Sequence, residues 1–112
     1  MSEQTPSFEN VTLIKKANVY GEKCVSHTVI LADGSRKTVG VIFPATLTFT
    51  TGAGEIMETL SGACRYRLDG QDWQAVSRGQ SFAIPPDSKF DIEVTDEPYH
   101  YVCHFEGLYR CS

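Results

Sequence analysis

Few side chains in this sequence have the type and spacing that chemistry requires, and Glu55 stands out among them. It follows the glycine-rich turn Gly52 to Gly54 and starts an alternating run in which Met57 and Thr59 share its face. Ser61 and Ser88 have no histidine and acid beside them, and no serine sits in a G-x-S-x-G elbow, so a serine nucleophile with its own base is not expected. A P-loop, a G-x-G-x-x-G and an EF-hand pattern are all missing, which leaves ATP, NAD and calcium without a signal. A metal-dependent oxygenase or isomerase would need Glu55 to join imidazoles from His27, His100 or His104, and their spacing does not match such a ligand set. The expectation is a carboxylate that works without a metal.

Positioning that carboxylate falls to strands. Strand-like runs recur at Val11 to Ile14, Cys24 to Leu31, Thr38 to Phe43, Thr46 to Thr50, Ile56 to Leu60, Cys64 to Leu68, Ser81 to Ile84, Phe90 to Val94 and Tyr99 to Phe105. Turn residues punctuate them, Asp33-Gly34 most strongly and Asp69-Gly70 next. Pro, Gly and β-branched residues interrupt every candidate helical stripe. The chain therefore reads as all-β, a sandwich or barrel with one core over residues 8–105, a loose segment over 1–7 and a tail over 106–112. Period-two alternation groups Cys64, Tyr66 and Leu68 on one face with Arg65 and Arg67 outside. It likewise groups Tyr99, Tyr101, Cys103 and Phe105 against His100, Val102 and His104.

A length of 112 residues suits one domain and one core. The net charge of -4 argues against a nucleic acid polymer as partner, because such binding needs a basic surface. No apolar run approaches a membrane span and no signal-peptide pattern opens the sequence, so a cytoplasmic protein without a membrane role is expected. Reduced thiols are then expected for Cys24, Cys64, Cys103 and Cys111, with Cys64 and Cys103 as small core residues.

Gly40, Glu55, Gly62, Gly79 and Pro85 together resemble the skeleton of the two cupin motifs. The first motif's His-x-His region reads Thr48, Phe49, Thr50 and Thr51, and the third histidine position is Phe90. Imidazole ligands are thus missing from the places where a cupin holds its metal. What the resemblance implies is a metal-free, single-domain cupin-like jelly-roll β-barrel.

The segments Phe8 to Tyr20 and Ala32 to Val41, followed by Thr48, Phe49, Thr51, Glu55, Met57, Ser61, Gly62, Trp73, Gly79, Phe82, Pro85, Ser88, Phe90, Tyr101 and Cys103, are similar to the small cupin-like pyrimidine/purine nucleoside phosphorylases. Departures are peripheral: Asp69-Gly70 where a proline is common, Pro86-Asp87 after the motif proline, and residues 106–112 beyond the usual end. The resemblance implies phosphorolysis of purine and pyrimidine nucleosides to free base and ribose 1-phosphate, for salvage or catabolism, by a homodimer that needs no cofactor beyond phosphate as co-substrate. Cleavage of an N-glycosidic bond passes through a sugar of oxocarbenium character, and Glu55, at the motif position, is the candidate catalytic carboxylate that faces it or holds its hydroxyls. Phe49, Met57, Phe90 and Tyr101 would bind the nucleoside, the rings by stacking. Thr48, Thr50 and Thr51, with Arg36 and His104 as cations, would bind phosphate. The rival is a non-catalytic cupin that binds a nucleoside or sugar as a sensor.

Overall fold

The computed structural model describes residues 7–106, and what was expected of residues 1–6 and 107–112, Cys111 included, lies outside them. Within that span the strands are β1 (Thr12–Leu13), β2 (Asn18–Tyr20), β3 (Cys24–Ile30), β4 (Arg36–Ile42), β5 (Ala45–Thr50), β6 (Glu55–Ser61), β7 (Ala63–Leu68), β8 (Gln74–Ser77), β9 (Ser81–Ile84), β10 (Lys89–Val94) and β11 (Tyr99–Phe105). No helix occurs among the described residues. The expected strands are all present, with ends that move by one or two residues. β2 and β8 are additions. β2 is three residues with a single half-buried member, and it exists because Asn18, Val19 and Tyr20 pair with Ser26, Val25 and Cys24. β8 buries only Val76 and pairs with β7. Neither is long enough to show a period.

The β3–β4 hairpin forms at the strongest turn signal. Asp33 Oδ1 accepts hydrogen bonds from the Ser35 N–H at 2.8 Å and the Ser35 hydroxyl at 2.6 Å. Gly34 takes φ +87°, a region open to glycine. Tight closure there lets β4 begin at Arg36, which pairs with Ile30 and so becomes a strand residue rather than a loop cation.

Two antiparallel sheets result. One runs β1-β3-β4-β11-β6-β9 with β2 attached to β3, and the other runs β5-β10-β7-β8. They are hydrogen-bonded separately, so the cupin-like all-β fold is realised as a sandwich of two sheets rather than one closed barrel. Between them lies the core, where Ile42, Ile84, Ile92, Val94 and Tyr99 are almost wholly out of solvent. The buried Tyr99 hydroxyl is satisfied by Thr59 Oγ1 at 2.9 Å. On the outer face of the smaller sheet, Arg65 pairs with Glu93 and Arg67 donates to Asp91 at 2.9 Å, as alternation expects. Both guanidinium groups lie over the Trp73 ring, at 4.4 and 4.5 Å from its centroid. Such exposed pairs add little stability, and their effect is to keep that face solvated.

Gly62 joins β6 to β7 at φ +79°, and a Cβ there would lie 2.5 Å from the Pro98 carbonyl oxygen. Backbone strain and a clash with backbone then act together. Gly62→Ala should therefore cost about 1–3 kcal/mol of stability. Gly52→Ala, where a Cβ meets open space, should stay within about 0.5 kcal/mol of the wild type. Urea unfolding midpoints of the two variants check the contrast.

Candidate active site

Because alternate residues face inward, the pairing of β2, β3, β4, β11 and β6 lays three rows of side chains across the inner face of the larger sheet. The first row is Asn18, Ser26, Gly40 and Tyr101, and the second is Thr28, Thr38, Cys103 and Met57. The third sets Phe105 opposite Glu55, with the Arg36 guanidinium 4.2 Å over the Phe105 ring. These rows form one wall of a cavity of about 280 Å³. The facing wall comes from the smaller sheet, where Phe49, Thr50, Phe90 and Ile92 contribute. Most polar groups thus lie on one wall, which also carries Tyr101 and Phe105, and Phe49 and Phe90 lie on the other. Tyr20 bridges them at the mouth, edge-on to Phe49 at 5.5 Å, and Phe49 lies 5.8 Å from Phe90.

Gly40 has a steric reason to be glycine. A Cβ there would lie 2.8 Å from the Ser26 Cβ, the Tyr101 hydroxyl and the Val25 carbonyl oxygen. Its missing side chain is the space that the Tyr101 hydroxyl occupies.

Glu55 opens β6 at the end of the glycine-rich turn, half-buried in the cavity wall. Burial pushes its carboxyl above the ordinary glutamate range, and this outweighs the downward pull of a hydrogen bond from Cys103 and of the Arg36 charge. Cys103 is a proton donor here, not a nucleophile: burial, together with the charge of Glu55, holds its thiol far above the usual range. The Thr38 side chain also hydrogen-bonds Cys103. Thr38 and Cys103 pair across β4 and β11 in the row next to Glu55, so the hydroxyl and the thiol both sit beside the carboxylate. Cys64, pushed up to about 11 by burial, is equally inert, and the described cysteines are all buried and unbridged.

Of the residues expected at the site, the fold brings together Arg36, Phe49, Thr50, Glu55, Met57, Phe90 and Tyr101. It leaves out Thr48, Thr51 and His104. Thr48 points outward and its hydroxyl donates to Asp91 Oδ1 at 2.7 Å. Thr51 staples the turn after β9, donating to the Pro85 carbonyl at 2.7 Å and accepting from the Ser88 N–H at 2.9 Å. His104 lies on the far face of β11, with Lys37 Nζ 2.7 Å from its Nδ1 and Glu58 Oε1 2.8 Å from its Nε2. The phosphate role expected of these three does not carry over to where they sit. Sequence reasoning missed Asn18, Ser26, Thr28, Thr38 and the link from Cys103 to Glu55. Ser26 and Thr28 did leave a signal, as polar residues at the inward period of a strand that also buries Cys24 and packs on the core.

No group of three His, Cys, Asp or Glu side chains placed to hold a metal ion occurs among the described residues. What the cavity offers instead is hydroxyls, one amide, one guanidinium, one carboxylate and a cluster of rings.

A two-sheet sandwich with this cavity between its sheets is a cupin-like protein. Oxalate decarboxylase from Bacillus subtilis, a cupin, superposes with a TM-score of 0.68 over 87% of this chain and 29% of its own, at 14% identity, a likeness of fold alone. The chain belongs to the pyrimidine/purine nucleoside phosphorylase family, whose family model matches residues 15–105. It is 61% identical over 100 residues to the pyrimidine/purine nucleoside phosphorylase of Thiobacillus denitrificans, covering 88% of this chain and 96% of the relative. The corresponding protein of Aromatoleum aromaticum is 60% identical over 103 residues, covering 90% and 96%. A crystal structure of a protein of unknown function (DUF1255) from Acinetobacter sp. ADP1 matches with a TM-score of 0.85 and 50% identity over 89% of this chain and 98% of its own.

Burying Glu55 has a consequence for stability. Below the ordinary glutamate range both folded and unfolded chains carry the carboxyl protonated. As pH rises, the unfolded chain ionises near 4.5 and the folded chain only later, so Glu55 costs the fold stability across that window and above it. Glu55→Gln should remove the cost. Its denaturant midpoint at pH 7 is expected to exceed that of the wild type, with the gain shrinking as pH falls towards 4. A variant less stable at pH 7 would mean that the Arg36 and Cys103 interactions outweigh burial.

Proposed function

We propose that this chain is a nucleoside phosphorylase of broad specificity, a pentosyltransferase that needs no metal and converts a purine or pyrimidine nucleoside and phosphate into the free base and ribose 1-phosphate. The observation that carries the reading is the position of Glu55, a half-buried carboxylate on a polar wall facing Phe49 and Phe90 across a cavity of about 280 Å³. A pocket near the lower end of the usual range, roughly 300–1,000 Å³, suits one small ligand.

In this reading the base stacks on Phe49 and Phe90, which favours any flat π-face and explains tolerance for both base classes. The sugar lies between the walls. A phosphate oxygen forms the bond to the anomeric carbon while the C–N bond breaks, its electron pair leaving with the base. The proton of hydrogen phosphate ends on the base nitrogen. Glu55 stabilises the positive charge that develops on the sugar or fixes its hydroxyls, and the thiol of Cys103 holds the carboxylate in place. Met57 and Tyr101 close the floor.

The protein works in the cytoplasm in nucleoside salvage or catabolism, as a homodimer that covers short sheet edges. Among the described residues no helix is long and apolar enough to cross a membrane.

Incubating chelator-treated protein with uridine and with adenosine, with and without phosphate, tests the reading by chromatography. Uracil and adenine should accumulate only with phosphate, and Glu55→Gln should lower kcat by roughly a hundredfold or more. Nucleoside binding without base release would make the protein a sensor instead.

A further inference from the structure

Asn18 makes an arrangement that the carboxylate and the rings do not explain. Its amide Nδ2 donates to Ser26 Oγ at 3.2 Å and to Thr28 Oγ1 at 3.0 Å. A primary amide has two N–H protons, and both are used here. Each hydroxyl oxygen therefore accepts, and its own proton has to point elsewhere. Neither hydroxyl has another hydrogen-bond partner among the described residues, and both line the cavity. Asn18 thus turns Ser26 and Thr28 into a pair of donors aimed at the ligand. Arg36 lies on the same face, diagonal to Thr28 across the β3–β4 pair, because Thr28 pairs with Thr38 and Ile30 with Arg36.

We propose that Ser26 and Thr28, oriented by Asn18, form with Arg36 the seat of the phosphate co-substrate, an inference that rests on the phosphorylase reading. Donors without an acceptor suit the unprotonated oxygens of hydrogen phosphate, which only accept, and Arg36 offsets part of its charge. A ribose diol needs an acceptor as well, and Glu55 supplies that one row away. The placement also satisfies the reaction geometry. A nucleophile and a leaving group must occupy opposite sides of the anomeric carbon, and here the donor pair and the rings Phe49 and Phe90 occupy opposite walls. The Arg36 charge also acts on Glu55, which limits repulsion between phosphate and carboxylate.

Steady-state kinetics of Ser26→Ala, Thr28→Val and Asn18→Asp decide the matter. Asn18→Asp keeps the shape but can only accept, so both hydroxyl protons turn towards it and the seat loses its donors. Each variant should raise the KM for phosphate about tenfold or more while the nucleoside KM moves less than about threefold. Thr28→Ser, which keeps the hydroxyl, should recover most of the phosphate KM lost in Thr28→Val. A rise in nucleoside KM with phosphate KM unchanged would overturn the proposal and give the strip to the sugar. Phosphorus NMR of inorganic phosphate with protein alone separates this from failure of the phosphorylase reading. Line broadening by the wild type that disappears in a folded Asn18→Asp supports the seat even without turnover, and equal broadening by both overturns it.

Discussion

β11 runs between β4 and β6 and pairs Cys103 with Thr38 on one side and with Met57 on the other. Because a strand alternates its faces, a slip of one residue in this register would turn Cys103 outward and carry His104 into the cavity. The packing of Tyr99 and Tyr101, stacked at 5.8 Å and buried in the core, works against such a slip, since it would expose both rings. A β-bulge between His100 and Tyr101 takes up the local irregularity. Register is therefore what places the thiol beside Glu55, the Phe105 ring beneath Arg36 and the Tyr101 hydroxyl in the gap at Gly40. Each polar feature of the cavity follows from one row meeting the next.

That wall carries the energetic tension of the molecule. A half-buried carboxylate disfavours its charged form, while chemistry on an electron-poor sugar needs that charge. Arg36 and the Cys103 thiol offset part of the burial cost without cancelling it. Stability given up at the site is made good in the apolar middle of the sandwich, where Ile42, Ile84, Ile92 and Val94 pack between the sheets. The two adjoin, since Ile42 and Ile92 belong to that core and also line the cavity.

The fold was largely legible, because alternation is a strong signal that β5, β6, β7, β9 and β10 carry, while β3 and β4 show as β-branched runs bounded by turn residues. β2 and β8 were not, since three or four residues whose partners lie elsewhere show no period of their own. The same limit hid Asn18, a site residue only because β2 pairs with β3. Thr48 and His104 teach a different lesson. Phe49 and Leu47 are the apolar members of β5, so Thr48 between them had to face outward, and His104 alternates with Cys103 in the same way. The cupin pattern placed Thr48, and a position near the end of the last strand suggested His104, whereas the face of the strand decides what they touch. Conversely, Ser26 and Thr28 lie on the inward face of β3, and their polarity there was a readable anomaly.

The positions that hold imidazoles in a metal-binding cupin are filled here by residues of two fates. Phe49 and Phe90 face each other across the β5–β10 pair and, with Tyr20, make an apolar surface where a metal would need lone pairs. The threonines around Phe49 point outward or sit at the rim. Rings at these positions make that wall apolar. A surface that stacks flat molecules then faces one that supplies hydrogen-bond donors and a carboxylate. In a cavity with walls so divided, a ligand with an aromatic end and a polar end has one orientation that satisfies both. That orientation is a property of the two sheets, and it would survive changes in which aromatic ring the ligand carries.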